Sequence, residues 1–228
     1  MPLSDQDPIR EEIRALCRQF HIPLTFKERL WFNQKLTGSP HQSVIARMEK
    51  EQPFLTLEAF LTGIKNLPGQ PPVLLAIDHV QDPRNLGAMI RTAYCAGVGG
   101  VIVPKKRACP VTGTVRKAAT GAMEHMPLVQ VSNLVRTVDR LKEQGFWSLC
   151  LEAGASQSLY SLDLNLPLVV VIGGEGKGVS PLLQKKSDWV ASIPMAGKLS
   201  SLNASVACAV VLYEIFRQHR EKNKPTHG

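Results

Sequence analysis

Three segments of the chain gather residue types that could do chemistry. In DPRNLGAMIR, residues 82–91, Asp82-Pro83 reads as a turn and Asn85 as the cap of a helix that Leu86 begins. Arg91 falls off that helix's apolar stripe, and its neighbours one turn away are Gly87, Ala88, Tyr94 and Cys95. None is acidic, so no intrahelical ion pair holds the guanidinium, and it can face an anion or simply water. In GGEGKG, 173–178, four glycines in six residues let backbone approach a ligand or another segment closely, with Glu175 among them. Val171 stands where a P-loop needs its first glycine, and Gly178 where it needs Ser or Thr. Val179 and Pro181 likewise break G-x-G-x-x-G, so nucleotide-phosphate binding is unsupported. In IPMAGKLSSLNASVA, 193–207, Ser200, Ser201 and Asn203 are natural helix caps. They could equally belong to a loop whose backbone surrounds a small molecule.

These segments need a scaffold, and hydropathy patterning supplies one from residue 73 onward. Short apolar runs predict strands at Val73–Asp78, Gly100–Val103, Leu128–Val131, Trp147–Glu152, Leu168–Ile172 and Trp189–Ile193. Between them fall amphipathic helices. One carries Leu86, Met89, Ile90, Ala93 and Tyr94, one spans Thr112–Met123, and one begins after Ser132 or Asn133 and ends at Gly145. Val179–Lys186 and Asn203–His219 complete the set. Strands alternating with helices predict an α/β fold with a mostly parallel sheet covered by helices on both faces. Each chemical segment then follows a strand, where ligand sites of open α/β sheets lie.

Residues 1–65 are less regular. Ile9–Phe20 has helical spacing, Val44–Ala46 could be a short strand, and Leu55–Ile64 a further helix. NLPGQPP, 66–72, is the linker candidate, residues 73–220 form the main domain, and 221–228 a frayed tail.

With 228 residues, 44% apolar and 20% charged, the chain is an ordinary globular sequence. Its longest apolar stretch, Leu168–Ile172, is far short of a membrane span, and MPLSDQDPIREE holds no signal-peptide core, which predicts a cytoplasmic protein. The five cysteines show neither disulfide-framework nor zinc spacing and read as reduced core thiols, with no metal expected. Net charge is +8, and no acid lies between Asp82 and Glu124. That stretch carries Arg84, Arg91, Lys105, Lys106, Arg107, Arg116 and Lys117, which favours a polyanionic partner over a merely solvated basic face.

Together, DPRNLGAMIRTAYCAGV, VIGGEGKGVS and SIPMAGKLSSLNASVA resemble, in order, the three signature motifs of the SPOUT methyltransferases, in the SpoU/TrmH branch. VIVPKKR, GAMEHMPL and LYEIFRQ further resemble the RlmB-type subgroup, which methylates a guanosine ribose of 23S ribosomal RNA. The resemblance implies a C-terminal trefoil knot that binds S-adenosylmethionine and forms a homodimer interface. It implies cofactor contacts from Gly173, Gly174, Gly178, Ile193, Met195, Ser201 and Leu202. It places the family's catalytic arginine on Arg91 and its other motif residues, expected to be catalytic with it, on Asn85, Glu175, Ser201 and Asn203. Arg84, Lys105, Lys106, Arg107, Arg116 and Lys117 are then expected to meet RNA. Residues 13–48 resemble only the later part of the subgroup's N-terminal RNA-binding domain, through HIPLTF and SPHQSVIARM, so a partial domain is expected over 1–65. The implied activity is 2′-O-methylation of RNA; a tRNA ribose target and a catalytically idle RNA-binding paralogue are the alternatives.

Overall fold

The computed structural model describes residues 8–36, 43–47, 54–64 and 70–222. Most of the 66–72 segment, the turn-rich 37–42 and the tail beyond residue 222 lie outside the described residues. The chain divides into two compact units, residues 1–51 and 52–228.

The smaller unit holds helices α1 (Pro8–Gln19) and α2 (Arg29–Lys35), neither with a buried residue. Arg14 stacks over the Phe26 ring at 5.3 Å and bonds Glu11 at 2.6 Å. The strand expected at Val44–Ala46 is absent: those residues are irregular and exposed. Three apolar residues without a neighbouring strand to pair with do not make one.

The larger unit starts earlier than the expected boundary at 66–72. Helix α3 (Leu57–Ile64) buries Leu57, Phe60, Leu61 and Ile64 in the core of this unit, and Leu55 bridges to Val129. The apolar face of α3 therefore ties residues 54–64 to the sheet.

That sheet has seven strands: β1 (Val73–Asp78), β2 (Gly100–Pro104), β3 (Leu128–Val131), β4 (Trp147–Leu151), β5 (Gln157–Ser158), β6 (Leu168–Gly173) and β7 (Trp189–Ser192). Their order is β3-β2-β1-β6-β4-β7-β5, and every pairing is parallel. Parallel strands are covered on both faces, which is why VLLAID and LVVVI are apolar at nearly every position. Successive residues nevertheless point to opposite faces. Leu75, Ile77, Val101, Val170 and Ile172 enter one core, and Leu74, Ala76, Ile102, Val169 and Val171 the other.

The first core is closed by α4 (Pro83–Cys95), α5 (Gly113–Ala119) and α8 (Ala204–Lys222). The second is closed by α3, α6 (Leu134–Glu143) and α7 (Pro181–Lys186). Asn133 caps α6, accepting from the Arg136 N–H at 3.0 Å, and Gly145 follows α6 at φ +89°. The helix expected over Thr112–Met123 is instead α5 followed by a 3-10 turn at Ala122–Glu124, because Thr120 and Gly121 take left-handed conformations between them. Tyr94 is exposed rather than on the core stripe of α4. The cysteines also divide: only Cys150 and Cys208 are buried, and Cys95 is exposed.

Helices α4 and α5 touch through Gly87. A Cβ there would lie 2.5 Å from the Ala118 Cβ and 2.6 Å from the Val115 carbonyl oxygen. Alanine normally improves a helix interior by about 1 kcal/mol over glycine, but the backbone carbonyl cannot move aside without shifting α5. Gly87→Ala is therefore expected to destabilise by roughly 1–3 kcal/mol. Urea unfolding monitored by circular dichroism measures it; a gain in stability would show the contact to be loose.

Candidate active site

The site forms at the carboxyl ends of β1, β6, β4 and β7, the contiguous middle of the sheet. After β1 the chain turns at His79 (φ +58°) and enters α4. Asp82, not Asn85, caps this helix, accepting from the Arg84 N–H at 2.8 Å, with Pro83 in the first turn. Asn85 lies inside the helix and is buried. Its carboxamide is thereby free for another partner, and it donates to Glu175 Oε1 at 2.6 Å.

Glu175 sits on the turn after β6. The same Oε1 accepts from Asn203 Nδ2 at 2.8 Å, and Asn203 Nδ2 also lies 3.3 Å from Asn85 Oδ1. Asn203 in turn caps α8, its Oδ1 accepting from Ser205 N–H at 2.9 Å and Ser205 Oγ at 2.7 Å. One carboxylate thus joins the three motif segments, which lie 90 and 28 residues from Glu175 in sequence.

Glycines shape the turn around Glu175. A Cβ on Gly173 would fall 2.0 Å from the Gly178 carbonyl carbon, so β6 and the returning chain touch directly. The turn is pinned from both sides. Asp78, buried at the end of β1, accepts from the Ser180 N–H at 2.9 Å and pairs with His79 Nδ1 at 2.7 Å. Glu152, just past β4, accepts from the Val179 N–H at 3.2 Å.

Beside the turn lies a cleft of about 290 Å³. The structure brings all seven residues expected at a cofactor to its wall: Gly173, Gly174, Gly178, Ile193, Met195, Ser201 and Leu202. Glu152 and Leu151 line it too and escaped the sequence reading. Glu152 ends an apolar run, and nothing local marks its carboxylate as facing a cleft. The wall is mostly glycine backbone and aliphatic side chain, a surface suited to a small organic molecule rather than to a metal ion. Among the described residues no group of three His, Cys, Asp or Glu side chains gathers as a metal site.

Arg91 stands apart from the carboxylate cluster, six residues along α4 from Asn85 or about 9 Å of helix rise. It is exposed, and its recorded hydrogen bond is a long one, 3.4 Å, to Thr120 Oγ1. Among the described residues no carboxylate pairs with it. The basic residues gather partly nearby. The loop carrying Lys105, Lys106 and Arg107 is tied to the β1–α4 turn by Cys109 N–H to Val80 O at 2.8 Å and Gln81 Nε2 to Arg107 O at 2.8 Å. Arg84, exposed, starts the adjacent helix, and Lys117 is exposed on α5. Arg116 differs from expectation: the fold returns Glu124 to it at 2.9 Å, and its side chain is largely covered. The acid-free run in sequence therefore overstates the free positive charge, at Arg116 for one.

Comparison with known proteins decides the family. Residues 72–213 match the SpoU rRNA Methylase family. The chain belongs to that family. It is 43% identical over 214 residues to the 23S rRNA (guanosine-2′-O-)-methyltransferase RlmB of Pseudomonas aeruginosa, spanning 93% of this chain and 84% of that protein. It is 38% identical over 208 residues to the putative TrmH family tRNA/rRNA methyltransferase YacO of Bacillus subtilis, spanning 91% and 82%. Among solved structures, the AdoMet-bound rRNA methyltransferase of Sinorhizobium meliloti superimposes with a TM-score of 0.65 at 27% identity, over 73% of this chain and 62% of that one. AviRb from Streptomyces viridochromogenes in complex with AdoMet gives 0.62 at 28% identity, over 68% and 60%. The chain thus spans under two thirds of those two crystallised proteins.

Two predictions follow from the geometry. Glu175→Ala strands the Asn85 and Asn203 amides without their shared acceptor, and is expected to cost about 1–3 kcal/mol in denaturant unfolding. Coupling to Asn85→Ala in a double-mutant cycle should be at least about 0.5 kcal/mol; additivity would mean the bond contributes nothing. Burial pushes the Cys150 and Cys208 thiols up to about 12, with nearby Glu152 and Asp78 adding to the effect at Cys150. The thiolate is the reactive form, so iodoacetamide at pH 8 should label Cys95 in the native protein and leave Cys150 and Cys208 unmodified by mass spectrometry.

Proposed function

We propose that this protein is an S-adenosylmethionine-dependent RNA 2′-O-methyltransferase acting on a guanosine of 23S ribosomal RNA. The observation that carries the reading is the Glu175 cluster beside a glycine-backed cleft, in a chain 43% identical to an RlmB over nearly its whole length. The cleft fits the cofactor: Gly173, Gly174, Gly176 and Gly178 put backbone rather than side chain at its wall, and Ile193, Met195 and Leu202 supply apolar cover. When bound, S-adenosylmethionine supplies an electrophilic methyl group on a sulfonium.

The protein's part is placement and charge. Asn85, Glu175 and Asn203 are positioning residues, since their polar atoms face one another. Ser201 lines the cleft and would contact the cofactor there. Arg91 has the free charge to meet the target ribose and its phosphate. Arg91 acts as a fixed cation that stabilises the developing alkoxide, with the hydroxyl proton passing to water rather than to the guanidinium. Arg84, Lys105, Lys106, Arg107 and Lys117 hold the RNA backbone.

In this reading the C-terminal segment is knotted and the enzyme works as a cytoplasmic homodimer. Helix α8 supports the pairing. Val211 is buried in the core, whereas Val206 and Tyr213 are exposed and Val210 and Phe216 are only partly covered. One face of α8 thus remains apolar outside the core. No helix among the described residues is long and apolar enough to cross a membrane.

Mapping 2′-O-methyl sites in total RNA with and without the gene tests the target; loss at a tRNA ribose instead would move the assignment to tRNA. Gly173→Val should abolish S-adenosylmethionine binding by calorimetry. Arg91→Ala should fold and bind cofactor normally while losing on the order of 10²-fold in single-turnover methyl transfer. Near-normal turnover at saturating RNA would make Arg91 a surface charge.

A further inference from the structure

The protein carries a net charge of +8, yet the described residues lining the cleft include no lysine, arginine or histidine. They include two carboxylates, Glu152 and Glu175. Glu175 holds the motif segments together through the two amides on its Oε1. Glu152 takes no part in that cluster; its Oε2 accepts the Val179 N–H. The carboxylate also sits directly over Gly178, where a Cβ would fall 2.7 and 2.8 Å from its two oxygens. A glycine is thus required at 178 for Glu152 to hold this position at the cleft wall.

A fixed, half-buried negative charge in a cleft has a definite consequence for a ligand whose charge changes. S-Adenosylmethionine carries a positive sulfonium, and S-adenosylhomocysteine carries a neutral thioether at the same atom. The remaining charged groups of the two molecules are identical. We propose that Glu152 makes the cleft selective for the cationic methyl donor over the spent, neutral product. This rests on the cofactor reading above and adds a charge-reading residue to it. For two unit charges within one small cleft at an effective dielectric near 20, the attraction is worth on the order of 10–100-fold in affinity at most. Solvent at the open side reduces that, leaving an expected preference of about tenfold. The selectivity matters for turnover, because donor and product compete for one cleft.

The test is calorimetric titration of the full chain with S-adenosylmethionine and, separately, S-adenosylhomocysteine. Glu152→Gln keeps an oxygen for the Val179 N–H and removes the charge. It should weaken the donor about tenfold and the product less than about threefold, collapsing the ratio between them. Glu152→Asp, which keeps the charge, should retain most of that ratio even where both affinities fall, and guards against a variant that merely folds poorly. Equal losses for donor and product in Glu152→Gln would mean the carboxylate reads groups common to both, such as ribose hydroxyls, and would overturn the proposal. No change for either would reduce Glu152 to a clip on the turn and overturn it as well. A wild-type protein that binds neither molecule would instead remove the cofactor reading itself, and this proposal with it.

Discussion

The site depends on one carboxylate oxygen. Glu175 Oε1 receives the Asn85 and Asn203 carboxamides, and through them the start of α4, the turn after β6 and the start of α8 become one body. Hydrogen bonds to a charged acceptor are the stronger kind, and here the two donors arrive from opposite ends of the domain's sequence. The bond to Asn85 also explains an oddity of α4. Asparagine is a poor helix-interior residue, and a buried one is costly unless its amide is satisfied. Glu175 satisfies it. Removing any of the three would free a loop and leave a polar group without its partner.

Around that cluster the charge is sorted by depth. The cleft wall holds carboxylates and no cations among the described residues, while Lys105, Lys106 and Arg107 stand on the loop after β2 and Arg84 in the first turn of α4, at the same end of the sheet. The two fields suit two ligands of opposite charge, a cation in the cleft and a polyanion outside it. Arg91 belongs to the outer field, exposed and free of carboxylates, which fits a residue that meets the RNA rather than the cofactor.

Much of this was legible in the sequence. The strands of a parallel sheet are apolar nearly throughout, so β1, β3 and β6 stand out as runs within a residue of their observed ends. Helix α4 follows from its period, α6 from period and cap, and α8 from its cap at Asn203. What escaped was decided by contacts distant in sequence. Asn85 before Leu86 looks like a cap, and only the fold shows Asp82 capping while Asn85 reaches Glu175. Strand β5 is two polar residues and exists because β7 pairs with it. The membership of α3 in the larger unit is set by Phe60 reaching the sheet, across a segment whose prolines suggest a boundary. Of the acidic residues that hold the turn after β6, Asp78 and Glu152 are the ones that no motif marked.

The close contact at Gly87 links these levels. Helix α4 carries both Asn85 and Arg91, so its placement sets the cluster and the outer charge together. Its packing on α5 is fixed where Gly87 meets the Val115 carbonyl and Ala118. Helix α5 ends at Thr120, whose left-handed turn presents the hydroxyl that Arg91 touches. The small residues around Arg91 therefore serve packing first. By letting α5 approach, they leave the guanidinium beside the end of that helix, with the Thr120 hydroxyl rather than a carboxylate as its partner, and so keep its positive charge at the surface.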